Sequence, residues 1–175
     1  KLTTQDEIEA LFGTTVVEKF TNQLPIATDT DGTVYNGTGY LIGANISGSY
    51  PPTIDTSDKY PALTGFIPVK DGSTIRTRGI VWDKQHAGYE KIVFYNKNKE
   101  GIQNGEFTAF IASNHLATSG LNFIAEYELG DNGLKLVLGS SPLLDEVAYV
   151  RMVFFRENIG TNPIITVDEE IEYEQ

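Results

Sequence analysis

The sequence predicts an all-β protein, an antiparallel β-sandwich with a short N-terminal helix. Three observations predict it. Short runs of β-branched and aromatic residues alternate apolar and polar positions with a period of two. The 17 glycines and seven prolines punctuate these runs at short intervals. Only one stretch carries apolar residues at helical spacing. The 175 residues are sized for one domain, and a chain of that length buries about two-thirds of its unfolded surface without disulfides or metals.

That helical stretch is 4–13. Thr4 caps it with Glu7 three residues on, Ile8, Leu11 and Phe12 form its stripe, and Gly13 stops it. It is too short to stand alone in water. Its stripe must pack on this domain, on a partner subunit as an oligomer contact, or on chain upstream of Lys1. Residues 14–175 then form a single sandwich domain. The run 14–20 is extended, and 21–26 is irregular or an edge because of Pro25. Asp29-Thr-Asp-Gly32 is a turn, 34–46 is glycine-studded strand anchored by Tyr35, Tyr40 and Ile42, and 48–61 is a polar loop.

The central stretch, 62–82, reads as a hairpin turned by Lys70-Asp-Gly-Ser73. Parity places Ile75, Thr77, Gly79 and Val81 on one face and Arg76, Arg78, Ile80 and Trp82 on the other. A loop with His86 and Tyr89 follows, then a strand over 91–96 with Ile92 and Phe94 opposite Val93 and Tyr95. Residues 97–106 are polar and 107–112 short and apolar. In 121–129, Phe123, Ala125, Tyr127 and Leu129 face in while Glu126 and Glu128 face out. Asp131-Asn-Gly133 turns this run into Leu134, Leu136 and Leu138 as a second hairpin. Strands over 147–156 and 164–167 close the fold, and the acids from Asp168 to Glu174 form a solvated tail.

Composition excludes several functions. There is no cysteine, hence no disulfide, thiolate catalysis or cysteine zinc site. The formal charge of −11 opposes nucleic acid and anionic membrane surfaces. No apolar run reaches a membrane span, so membrane insertion is not expected. His86 and His115 have no metal-ligand spacing, and no G-x-S-x-G elbow supports a triad. Asp29 and Asp31 offer the first two oxygens of a calcium loop, but position twelve is Tyr40 rather than glutamate. An Asx-turn accounts for the stretch better, and loop acids Asp55 and Asp58 stand in the same position. Asp145 with Glu146, or Asp83 with Glu90, could form a glycosidase pair only if folded across a cleft. No catalytic residue and no cofactor is therefore expected.

The aromatic set is more suggestive. Tyr35, Tyr40, Tyr50, Tyr60, Trp82, Tyr89 and Tyr95 lie in or near glycine- and proline-rich segments. Sugars stack their C–H faces on such rings while Asn, Asp and Arg pair the hydroxyls. Trp82 and Arg78 are expected to form that surface, with Tyr35, Tyr89 and His86 at its rim. The competing reading places Trp82 and most of the tyrosines in the core.

Three blocks, TNQLPIATDTDGTVYNGTGY at 21–40, TGFIPVKDGSTIRTRGIVW with KIVFYNKNKEGI at 64–102, and AYVRMVFFRENIGTNPIITVDEEIEY at 148–173, occur in an order that resembles C-terminal modules of tail-associated structural proteins in phages and prophages of gut Firmicutes. The chain departs from their pattern at Lys70-Asp-Gly-Ser73, where a glycine-aspartate turn is usual, and at Asp168, where asparagine is commoner. The resemblance implies a jelly-roll or similar sandwich of carbohydrate-binding type at a tail or baseplate tip, and supplies no binding residues. It implies a non-enzymatic module made in the bacterial cytoplasm, carried on the virion tail and extracellular after release. Its partners would be bacterial surface glycan or other tail proteins, with a homo-oligomer such as a trimer. A purely structural assembly domain and a glycan depolymerase or esterase remain as alternatives.

Overall fold

A computed structural model describes residues 17–18, 20–34, 37–47, 51–82, 89–102, 108–110, 124–130, 133–139, 146–171 and 173–174. The helix expected over 4–13 lies outside them, as do Tyr35, Tyr50, His86 and His115. The described residues hold fourteen strands, all paired antiparallel. In chain order these are β1 (Val17–Glu18), β2 (Tyr40–Ile42), β3 (Asn45–Ile46), β4 (Ile54–Asp55), β5 (Pro61–Thr64), β6 (Ile67–Pro68) and β7 (Thr74–Ile80). Next come β8 (Lys91–Tyr95), β9 (Thr108–Phe110), β10 (Ile124–Gly130), β11 (Gly133–Leu138), β12 (Tyr149–Phe155), β13 (Ile159–Val167) and β14 (Tyr173–Glu174).

Two sheets share one core. The first has the order β10-β11-β7-β13; the second runs β2-β5-β12-β8-β9, with β6 also on β12. Ile75, Leu134, Leu136, Leu138 and Ile165 from the first sheet meet Ala62, Ile92, Phe94, Val150, Met152 and Phe154 from the second. Alternation explains why: these are the period-two apolar positions of their strands.

A second core lies on the far side of the second sheet. Leu63, Val93, Tyr95 and Val153 point away from the first sheet and are covered by Ala44, Ile46 and Phe66. Ile46 belongs to the β3–β4 ribbon, whose second strand lies inside the 48–61 stretch expected to be a loop. Double-sided burial is why β8 reads KIVFY and β12 YVRMVFF, with little polar alternation.

The expected hairpin over 62–82 is not a hairpin. Its turn exists, with the Ser73 N–H donating to the Lys70 carbonyl and Gly72 at φ +81°. But β5 and β6 pair with β12, while β7 pairs with β11 and β13. The turn is a corner that carries the chain from one sheet to the other. The hairpin expected at 131–133 does form, with Gly130 opposite Gly133.

Two further expectations are corrected. Residues Gln23–Ile26 form one helical turn rather than an irregular edge; Asn22 caps it by accepting the Leu24 N–H, and Pro25 sits in the first turn, where its missing N–H costs nothing. The run expected to be extended over 14–20 is strand at Val17–Glu18, while 14–16 and 19 lie outside the described residues. The start of the acidic tail is built into the fold rather than merely solvated. Asp168, at φ +61°, accepts hydrogen bonds from the Ser73 hydroxyl and the Thr74 N–H, and Glu169 accepts from the Thr21 N–H.

Candidate functional site

The site begins with β7. Its register sets Arg76 opposite Lys135, and Lys135 opposite Glu128, in one row across the outer face of the first sheet. In the next row Arg78 faces Gly133, and Gly133 faces Gly130. On the β11 and β10 side of Arg78 that row has only two glycines. A trough of about 470 Å³ opens there, lined by Arg76, Arg78, Glu128, Lys135, Glu170 and Ile171 among others. The two glycines differ. A Cβ at Gly133 would come within 1.8 Å of the Thr77 carbonyl oxygen, so the backbone demands glycine. A Cβ at Gly130 would meet nothing within 4 Å, so glycine there serves only to leave space.

Charges of both signs line the trough. The Arg76 guanidinium lies 3.7 Å from the Glu170 carboxylate and donates to the Glu169 carbonyl at 3.4 Å. Lys135 lies 3.7 Å from Glu126. Three of the chain's 13 cations thus gather on one face of a protein with net charge −11. The groove can donate hydrogen bonds from Arg76, Arg78 and Lys135 and accept them at Glu128 and Glu170.

Arg78 is where parity placed it, but Trp82 is not beside it. Gly79 takes φ +75°, and a Cβ there would come within 2.8 Å of the Asn162 carbonyl oxygen. The pairing of β7 with β13 shifts register between Ile159 and Ile164, a bulge beside Gly79. Beyond it the sides exchange: Ile80 and Trp82 turn into the core while Val81, expected inside, is 58% exposed. Trp82 packs edge-on against Phe154 and donates its indole N–H to the Thr77 hydroxyl at 2.9 Å. The expected shared face of Trp82 and Arg78 is therefore not formed, and Trp82 stands behind β7 as core.

Tyr89 sits elsewhere, at one end of the second sheet. It and Tyr60 both stack on Phe155, with ring centroids 5.8 Å apart in each case. Its hydroxyl donates to the Asp58 carboxylate. That bond holds Asp58 below the usual carboxylate range and raises the Tyr89 phenol. The Lys59 ammonium lies 5.2 Å from the Tyr60 ring centroid. Tyr40 packs against the shared core and Tyr95 is buried in the second.

Asp29 and Asp31 lie in the expected turn. Asp29 accepts the Thr30 N–H and faces Arg151 at 3.8 Å. Asp31 accepts the Thr33 N–H; the Thr33 hydroxyl and N–H hold its carboxyl below the usual range. Turn closure and an arginine thus employ these acids, and no group of three or more metal-ligating side chains occurs among the described residues. Of the glycosidase pairs, Glu90 is fully buried and Glu146 exposed, while Asp83 and Asp145 lie outside the described residues.

Comparison with protein-family models, with curated proteins and with solved structures finds no match to this chain. The groove was only partly visible in the sequence. Arg76, Arg78 and Glu128 carried a signal, being charged positions in alternating strands. That Lys135 and Gly130 share a groove with them was not visible, because the order β10-β11-β7 depends on which strands pair.

Proposed function

We propose that the chain is a non-enzymatic glycan-binding module of the phage-tail type suggested by its motif order, with bacterial surface carbohydrate as ligand. The trough over Arg76, Arg78 and Lys135 is its binding site. One observation carries the reading: Gly130 and Gly133 open a groove beside two arginines on the outer face of the first sheet. Sugar hydroxyls both donate and accept, and the lining offers both complements. Its volume lies in the range of small-ligand sites, roughly 300–1,000 Å³. The net charge of −11 works against long phosphate polymers as alternatives. One feature supports a binding role over a catalytic one. A glycosidase's general acid sits desolvated, which raises its pKa, whereas Glu128 and the Glu170 side chain are exposed.

The test is calorimetric titration of the protein with purified surface polysaccharide, alongside an assay for released reducing ends. Binding without sugar release is expected. Gly130→Phe, which has open space for its side chain, should abolish binding and leave the melting temperature unchanged. Retained binding in that variant, or sugar release that ends when Glu128 or Glu170 is replaced, would overturn the reading.

A further inference from the structure

We propose that the groove recognises an acidic sugar, seating a uronate carboxylate on Arg76, and that Glu170 occupies that seat when the groove is empty. The proposal rests on the glycan-binding reading of the same groove and adds the ligand class and an internal competitor. Arg76 already holds a carboxylate there, that of Glu170 at 3.7 Å, with the Glu169 carbonyl at 3.4 Å from the same guanidinium. The geometry of a carboxylate on Arg76 is thus realised within the chain itself.

Glu170 is built to leave. Its neighbours are tied down: Asp168 to Ser73 and Thr74, and Glu169 to Thr21, while the Glu169 carbonyl also accepts from Thr166. Glu170 itself is 71% exposed and holds only the rim of the groove. An exposed ion pair of this kind contributes little, so a ligand carboxylate with further contacts displaces it readily. The segment need not unfold for this to happen; one side chain rotates away.

The rest of the lining selects the ligand class. Arginine's planar fork matches a carboxylate in two parallel hydrogen bonds, which a neutral hydroxyl cannot use. Arg78 lies two residues along the strand from Arg76, roughly 6.5 Å away, and Lys135 lies directly across from Arg76. These reach the ring oxygens and hydroxyls of a sugar whose carboxylate sits on Arg76. Glu128, on the far side of Lys135, accepts hydroxyl protons and repels a second nearby negative charge. One carboxylate per sugar suits this balance better than a dense phosphate chain.

The test uses matched pairs of oligosaccharides, galacturonate against galactose, glucuronate against glucose and mannuronate against mannose, titrated into the whole chain at low salt. Wild type, Glu170→Gln and Arg76→Gln are compared, with melting temperatures confirming that each is folded. At least one uronate should bind at least tenfold more tightly than its neutral partner. Glu170→Gln should widen the preference for a uronate over its neutral partner about two- to fivefold, the size of an exposed pair. Arg76→Gln should erase the preference. Equal affinity for uronate and neutral sugar, or no wider preference in Glu170→Gln, overturns this proposal while the glycan-binding reading stands. If none of the six oligosaccharides binds but surface polysaccharide does, the acidic-sugar proposal falls alone. If polysaccharide also fails to bind, the glycan-binding reading falls with it.

Discussion

The outer faces of the two sheets carry the same kind of residue to opposite ends. Each presents cations from alternating strand positions: Arg76, Arg78 and Lys135 on the first sheet, Lys91 and Arg151 on the second. On the second sheet both are buried and engaged. Arg151 donates to the Thr64 carbonyl at 3.0 Å, lies 4.5 Å from the Phe66 ring centroid and faces Asp29. Lys91 donates to the Ile46 carbonyl at 2.6 Å, fastening the β3–β4 ribbon over the sheet. On the first sheet, no ribbon among the described residues covers Arg76, Arg78 and Lys135, and these cations stay half-exposed around a groove. A charged residue in a strand is thus a candidate for ligand contact only where nothing folds over it.

The comparison breaks most severely if the second core is not a true core. Leu63, fully buried there, is expected to cost about 2–5 kcal/mol on replacement by alanine. Urea denaturation measures it, and a loss under 1 kcal/mol would mean the cover is loose. A paired substitution of arginines comes next. Arg151→Gln takes a donor from the Thr64 carbonyl and the cation from beside Asp29, at about 1–3 kcal/mol. Arg78→Gln should stay within about 0.5 kcal/mol, as surface changes do. Equal effects would erase the distinction between the faces.

A smaller effect concerns alkali. Burial lowers the Lys91 ammonium below its ordinary 10.5. Between the folded and unfolded values the unfolded chain holds more protons, so stability attributable to Lys91 rises with pH through that window. Lys91→Met should remove this rise, read as the difference between the two proteins' stability curves from neutral pH to pH 10.5. The smallest effect is Gly130→Phe, expected within about 0.5 kcal/mol of wild type by thermal melting because the position is open. A larger loss would show that the groove floor is structural.

The strands were legible where period two ran without interruption. Leu134, Leu136 and Leu138 and the outward Glu126 and Glu128 lie where alternation places them. Pairing was less legible. Lys70-Asp-Gly-Ser73 and Asp131-Asn-Gly133 carry the same turn chemistry, yet one is a corner between sheets and the other a hairpin. Turn residues specify that the chain reverses, not which neighbour each strand then takes. The tryptophan was misplaced for a second reason. A single bulge at Gly79 reverses the parity of everything after it, and glycine in a strand signals a bulge without locating its register. The latches through Asn22, Asp168 and Glu169 read as turn and tail chemistry because their partners lie far away in sequence.

Those latches have a kinetic consequence. Thr21 and Glu169 stand 148 residues apart along the chain, and Asn22 reaches across 143 residues to accept the Ile165 N–H. On a ribosome, Thr21 and Asn22 must wait for Glu169 and β13 to be made before these long-range bonds can form. The β10–β11 hairpin, by contrast, closes over a two-residue gap, an event of microseconds. Loop closure over such distances sets slow folding, so the short helical turn at Gln23–Ile26 is expected to be among the last elements to become protected from hydrogen exchange.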